Sequence, residues 1–319
     1  MLLVSSITPS GAVWARESAL ASIPNLRMID AIPRRHDALL ENVCTRLSPA
    51  GVLAPNLVAG LASIQTATAL ASAVDESLRG GTAVWCPGSV ATAASDLLTM
   101  ADLLDLADPG ADAAGVRELG NAASALRTGD VEWIVACPPE ESAIDALLAE
   151  VAVGLACGLA VRGVLLAPMP SKSDGWSKQI RAAARRRFEG VCERLHPLPV
   201  ARTRRGASPG FAESGIDVSA KVCAVSVNSH ADGTLIWSIT IPGLSACGVS
   251  IGAWSDDPAY STTHVVLEIG GRTVYRAVDS TVRRCTATEA VVSGDSVAVT
   301  FLPAPQQWPT MQEGGGDDG

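Results

Sequence analysis

The chain has 319 residues, of which 48% are hydrophobic and 18% charged, and this is enough apolar material for one large domain and a smaller one. Its formal net charge of −9 and its pI of about 5.0 argue against nucleic acid as a partner, because an acidic surface repels the phosphate backbone. The eight cysteines form no C-x-x-C pair and the four histidines are isolated, so we predict reduced thiols and no metal site.

The first two thirds of the chain alternate between strand-like and helix-like segments. Aliphatic runs that end at turn residues predict buried strands at residues 2–7, 26–32, 82–86, 132–136 and 163–167. Between and after them, apolar residues at helical spacing predict helices at residues 12–22, 37–47, 58–78, 91–106, 112–126, 142–159 and 176–195. This alternation predicts an α/β fold in which a doubly wound, mostly parallel sheet is covered by helices on both faces.

The longest apolar stretch, residues 151–170, is interrupted by Arg162. A helix that runs into a buried strand explains it better than a membrane span does. The first six residues lack the positively charged region of a signal peptide, and their apolar run is short. We therefore expect a cytoplasmic protein without a membrane anchor.

The pattern changes near residue 220. Short runs rich in Thr and Val predict strands at residues 235–241, 249–253, 263–269, 272–277, 287–292 and 296–301. Helical periodicity is absent there, so we predict a small all-β sandwich. The predicted organisation is an α/β domain at residues 1–217, a linker at 218–232, the sandwich at 233–304 and a flexible tail at 305–319.

Several soft motifs follow one another along this plan. They occupy residues 131–140 (VEWIVACPPE), 161–166, 174–179, 196–200, 241–244 (IPGL), 282–286 and 297–301. In this order they resemble the ArsA-type anion-pump ATPases and the related ATPases that target tail-anchored membrane proteins, specifically bacterial members with a C-terminal α-crystallin-like domain. The resemblance implies a P-loop ATPase scaffold of the SIMIBI class whose halves pair across nucleotide.

The phosphate-binding loop departs from that family. Where the family has G-K-G-G-x-G-K-T, residues 7–14 of this chain read ITPSGAVW, and the first 171 residues contain no lysine. Pro9 has no amide hydrogen to donate to a phosphate. We assign Thr8, Ser10 and Gly11 to the vestigial phosphate-loop position, although an ordinary helix cap is the favoured interpretation of these residues.

The metal-binding strand departs as well. The family's strand ends in an acid that organises Mg²⁺, whereas this chain has WCPGS at residues 85–89. Asp30, Cys86 and Pro87 remain at vestigial site positions, and Cys86 is better explained as a buried core thiol. Ala167 and Pro168 replace the family's Asn and Arg, which removes an expected contact to the nucleotide base.

Together these losses remove most of the electrostatic stabilisation that phosphoryl transfer requires. We therefore predict no catalytic residue and no cofactor. The alternative is an atypical ATPase that holds ATP and Mg²⁺ through unusual residues.

Basic residues are concentrated in one segment. Ten of the 24 basic residues, but only three of the 33 acidic ones, lie between Lys172 and Arg205. A solvated helix face is the usual explanation of such a run, and a surface for an acidic partner or anionic lipid is the alternative. The candidate patch consists of Lys178, Arg181, Arg185, Arg186, Arg187, Arg202, Arg204 and Arg205.

A protein that has lost ATPase activity can persist if its binding surfaces still function. We therefore predict a non-catalytic binding or regulatory protein. Its expected partner is a second copy in a homodimer, an active paralogue in a heterodimer, or a client protein bound at the sandwich edges. Peripheral contact with a membrane stays open, and nucleic acid is not expected.

Overall fold

The computed structural model describes ten stretches of the chain. They are residues 2–7, 27–28, 57–80, 83–86, 89–107, 114–138, 140–166, 177–202, 225–255 and 257–305. These residues form an α/β unit on a parallel sheet and a β module of two smaller antiparallel sheets, which confirms the predicted mixed α/β class. The predicted helices at 12–22 and 37–47 lie outside the described residues, as does the tail from residue 306.

Six strands form the parallel sheet. They are β1 (Leu2–Ser6), β2 (Arg27–Met28), β3 (Val84–Trp85), β4 (Glu132–Cys137), β5 (Ala160–Leu166) and β6 (Val200–Arg202). Their order is β2-β3-β1-β4-β5-β6, and every neighbouring pair is parallel. The central strands β1 and β4 are almost entirely buried, which explains their continuous aliphatic runs.

Five helices in the described stretches accompany this sheet. They are α1 (Leu57–Gly80), α2 (Val90–Ala107), α3 (Ala114–Arg127), α4 (Glu141–Ala156) and α5 (Lys178–Arg194). Helix α4 ends three residues before the predicted boundary because Gly158 adopts a φ of 95° and turns the chain into β5. The apolar stretch at 151–170 thus contains a helix end and a strand. None of the described helices is long and apolar enough to cross a bilayer.

The β module contains seven strands. They are β7 (Val225–Ser229), β8 (Leu235–Thr240), β9 (Val249–Trp254), β10 (His264–Ile269), β11 (Arg272–Ala277), β12 (Cys285–Ser293) and β13 (Ser296–Pro303). One sheet has the order β11-β10-β9 and the other β12-β13-β8-β7. A 3-10 turn at Leu244–Ala246 and the short helix α6 (Ser280–Arg283) interrupt the strands.

Strand β7 is not among the predicted strands. It lies within residues 218–232, which the sequence pattern assigns to a linker, and it pairs antiparallel with β8. Its five residues, VSVNS, contain only two apolar side chains, so their hydrophobic pattern is weak. The pairing with β8, rather than the local sequence, therefore determines that these residues form a strand.

One continuous cluster of buried apolar side chains runs through both units. Trp133 in β4 and Trp237 in β8 are among its largest fully buried side chains. The Trp133 ring packs closely against Gly154 of α4, and its Nε1–H donates to Ser5 Oγ at 2.9 Å. Because apolar surface is buried between the units as well as within them, the β module is packed on the α/β unit rather than tethered to it.

Candidate functional site

The carboxyl ends of the three central strands lie side by side. The Ile7 N–H donates to Ala136 O at 3.0 Å, and the Cys86 N–H donates to Val4 O at 2.8 Å. Strand β1 thus ends between β3 and β4. Strands β2 and β3 lie on one side of β1, and strands β4, β5 and β6 lie on the other. Open α/β sheets bind ligands at such a switch point, so this edge is the first candidate site.

The described side chains at this edge are neutral at physiological pH, apart from one carboxylate. Ser6 is buried, and its Oγ has no hydrogen-bond partner in the described part of the chain. Burial raises the pKa of the Cys86 thiol to about 12, and burial, assisted by the charge of Glu140, does the same for Cys137. Glu140 itself precedes the first turn of α4. Among the described residues, no three or more His, Cys, Asp and Glu side chains are grouped to hold a metal.

Most of the predicted vestigial positions cannot be placed at this edge. Thr8, Ser10, Gly11, Asp30 and Pro87 lie outside the described residues. Cys86 is described, and its 8% exposure confirms that it is a core thiol. The sequence expectation for the phosphate loop therefore stays a prediction.

A buried carboxylate between the two units forms a second cluster that the sequence did not reveal. Glu150 of α4 has a side chain only 7% exposed. Its Oε1 accepts from Ser89 Oγ at 2.5 Å and from the Ala91 N–H at 3.3 Å, and its Oε2 accepts from Arg272 Nη1 of β11 at 3.0 Å. The carboxylate therefore lies at the N-terminus of α2, where the helix dipole favours negative charge.

Both oxygens of Glu150 are engaged, so this carboxylate serves to join the units and is not free to act as a base. A hint was present in the sequence, because Glu150 is the only acid in the strongly apolar second half of α4. Buried acids of this kind are almost always paired. The identity of the partner was beyond sequence reasoning, since Arg272 is 122 residues away.

Helix α2 continues along the β module beyond this cluster. Ser95 Oγ donates to Thr273 O of β11 at 2.7 Å, so a backbone carbonyl of that edge strand is satisfied by a helix side chain. Two turns further on, Asp102 forms an ion pair with Arg127 of α3 and lies 3.5 Å from His264 Nε2 of β10. These contacts fix α2 to the β module along three turns.

A turn of the β module also rests on α4 and α5. Gly243 has a φ of 81°, and a Cβ there would come within 3.1 Å of Leu148 Cδ2. Asp295 holds this turn by accepting hydrogen bonds from the Gly243 N–H and from the N–H and hydroxyl of Ser245. Burial acts to raise the pKa of Asp295, but these hydrogen bonds outweigh it and the net pKa is lowered.

We expect Arg272→Ala to lower the free energy of unfolding by about 1–2 kcal/mol, because it removes one charged hydrogen bond from a buried carboxylate. The value lies at the lower end for such pairs because the Arg272 side chain is 40% exposed and Ser89 still binds Glu150. Urea unfolding measures the change. The control is Arg79→Ala, which breaks an exposed pair with Asp75 and is expected to cost less than about 0.5 kcal/mol. Equal effects would contradict the prediction.

The basic residues predicted as a patch are only partly brought together. Five of them lie on α5, at Lys178, Arg181, Arg185, Arg186 and Arg187. Arg202 ends strand β6, while Arg204 and Arg205 lie outside the described residues. One of the five is already paired, because Arg187 Nη1 lies 3.1 Å from the Asp145 carboxylate of α4.

No protein-family model matches the sequence, and no curated protein is significantly similar to it.

Proposed function

We propose that this chain is a non-catalytic, ArsA-like protein that acts by binding a protein partner instead of hydrolysing nucleotide. The observation that carries the proposal is the end of β3. The family resemblance requires a carboxylate there to organise Mg²⁺, and this chain has the buried thiol of Cys86, whose pKa of about 12 keeps it protonated.

The surrounding edge supports the same conclusion. ATP carries several negative charges, and phosphoryl transfer requires cations and a bound metal to neutralise the charge that develops. The ends of β1, β3 and β4 present the neutral side chains of Ser6, Cys86 and Cys137, and no lysine occurs before Lys172. Such an edge has little to offer a triphosphate.

The finer architecture belongs to the same proposal. We infer a doubly wound α/β domain at residues 1–217 and an α-crystallin-like sandwich as the β module, which would include β7 and so begin before the predicted residue 233. The partner is a second copy of the chain or an active paralogue in the cytoplasm. Strand β12 offers an edge to such a partner, with Val291 and Val292 exposed by 46% and 43%.

Calorimetric titration of the full-length chain with ATP and with ADP, each with and without Mg²⁺, tests the proposal. We expect no binding tighter than about 1 mM, and phosphate release no faster than in a blank. The control is an ATPase with an intact P-loop under the same conditions. Micromolar binding of ATP by the isolated chain would reject the proposal in favour of the atypical ATPase.

Light scattering over a range of protein concentrations tests separately whether the partner is a second copy of the chain. A mass that rises to twice that of the chain supports the homodimer. A constant monomeric mass rejects the homodimer and makes an active paralogue the partner to be tested next by co-purification of the two defined chains.

A further inference from the structure

Strand β12 is an edge strand that extends beyond the core of the β module. It begins at Cys285, which is buried, but every residue from Thr288 to Ser293 is exposed. Val292 pairs with Val297, whose side chain is fully buried on the inner face of the sheet, and yet Val292 itself is nearly half exposed. The three-stranded sheet opposite therefore does not cover the end of β12.

The backbone of this segment points outward at two positions. A two-residue loop joins Ser293 to Ser296, so this pair closes a β-turn and is hydrogen-bonded. Because hydrogen-bonded and non-hydrogen-bonded pairs alternate along an antiparallel ladder, the N–H and C=O groups of Val292 and Ala290 point away from β13. These groups bond to no other backbone group in the described stretches. They form a template for another extended strand.

This segment lacks the features that normally protect an edge strand from pairing. Charged side chains, prolines and bulges are the usual protection. Beyond the bulge at Thr288 the sequence is EAVVS, which contains no proline and has Glu289 as its only charge. The edge strand β11 of the other sheet is different, because it carries two arginines and α2 covers it through the bond from Ser95 to Thr273. The end of β12 is thus uncovered and nearly uncharged.

The residues of this edge favour a second copy of the same strand as its partner. A different protein is usually selected through complementary charges, and this segment offers only the charge of Glu289. Antiparallel pairing about a two-fold axis at Val291 places Ala290 opposite Val292 of the second copy, which satisfies the outward backbone groups of both residues. The two Val291 side chains then meet at the axis, and Glu289 lies opposite the uncharged Ser293.

We propose that the chain forms a two-fold dimer in which residues 289–293 of β12 pair antiparallel with the same residues of a second copy. This inference rests on the proposed function, because it names the protein partner and the edge that binds it. The pairing continues the four-stranded sheet across the axis and covers Val291 on one face and Val292 on the other. So short a pairing buries less area than a standard interface, so the dimer is reversible, with a Kd on the order of 10–100 µM.

Sedimentation velocity of the full chain without nucleotide, at about 1 to 500 µM, tests the proposal. We expect the mass to rise from that of one chain to that of two. Val292→Pro removes an N–H that the dimer uses and the monomer does not, so it is expected to raise the Kd at least about tenfold. The matched control is Ser229→Pro on β7, the opposite edge of this sheet, whose N–H also points outward. This control is expected to dimerise as the wild type does, and circular dichroism establishes that both variants are folded.

Two cysteine variants test the register independently of the proline variant. Val291→Cys is expected to form a disulfide between two copies on oxidation, because the two Cα atoms at the axis lie about 4.5 Å apart. Glu289→Cys is the control on the same face of the sheet. Its two copies are offset by roughly 13 Å along the strands, which is beyond the reach of a disulfide. Mass spectrometry of the linked peptides distinguishes the new disulfide from any that the native cysteines form.

Three results overturn the proposal: a monomeric mass at every concentration, a dimer that Val292→Pro does not weaken, and equal crosslinking of the two cysteine variants. A dimer that survives Val292→Pro assigns the interface to another surface and leaves the proposed function intact. Failure of the proposed function gives a different result, which is micromolar binding of ATP by the isolated chain.

Discussion

Replacing Gly158 by alanine is expected to lower the free energy of unfolding by about 3–5 kcal/mol. This is the largest effect that we expect from the addition of one methyl group. Gly158 joins α4 to β5 with a φ of 95°, a conformation that costs an L-residue about 1–2 kcal/mol. An added Cβ would also run into the backbone carbonyl of Leu126, at the end of α3. A backbone group cannot move aside as a flexible side chain can, so α3 and α4 would have to separate.

The measurement is the urea midpoint of Gly158→Ala beside that of Gly120→Ala. Gly120 lies on α3, the helix that contains Leu126, but it is exposed, and a Cβ there meets no atom within 4 Å. Alanine at this position is therefore expected to stabilise the helix by about 0.5–1 kcal/mol. The two substitutions add the same methyl group and should shift the midpoint in opposite directions. Shifts of the same sign and size would show that the approach of Gly158 to Leu126 is not close in solution.

Alkaline pH is expected to unfold the protein through its buried thiols. Burial is the largest cause that raises the pKa values of Cys86, Cys137 and Cys157 from 9.0 to about 12 in the folded protein. Below pH 9 the thiols are protonated in both states and their contribution is fully present. Above pH 9 the unfolded chain loses protons that the folded chain retains, so stability falls as pH rises towards 12. Each thiol then lowers the free energy of unfolding by about 1.4 kcal/mol per pH unit, and the three together lower it by about 4 kcal/mol per pH unit.

The other groups that titrate near this window are three lysines, two tyrosines and five further cysteines, and burial also raises the pKa of Cys247 and of Cys285. Urea unfolding measured at pH 8 and at pH 10 should therefore show a steep loss of stability between them. Cys86→Ala, as a single variant, should reduce that loss by about 1.4 kcal/mol per pH unit above pH 9. As a second readout, native thiols should react with iodoacetamide at pH 8 much more slowly than in urea. A stability that does not change up to pH 11 would contradict the prediction.

Local patterns in the sequence were sufficient for most of the described elements. Continuous aliphatic runs predicted β1 and β4, and runs rich in Thr and Val predicted β10 and β11. A strand that is buried on both faces is apolar throughout, whereas a strand that is buried on one face alternates between apolar and polar residues. The apolar pattern of strand β7 is too weak to predict a strand, because most of its side chains are exposed to solvent. Its pairing with β8 holds it in place. The strand ends located the candidate edge, and the absence of a lysine and of an acid at the family's positions predicts that its phosphate site lacks charge.

Four features follow from the residues alone: the α/β class, the change to β structure near residue 220, the concentration of cations before residue 205 and the absence of lysine from the first 171 residues. These are properties of residue type and short-range period. The contact between Glu150 and Arg272 and the position of α2 along the edge of β11 follow only from the packing of the fold. Such features depend on contacts between residues far apart in the chain, and no local period encodes which distant partner a side chain will meet.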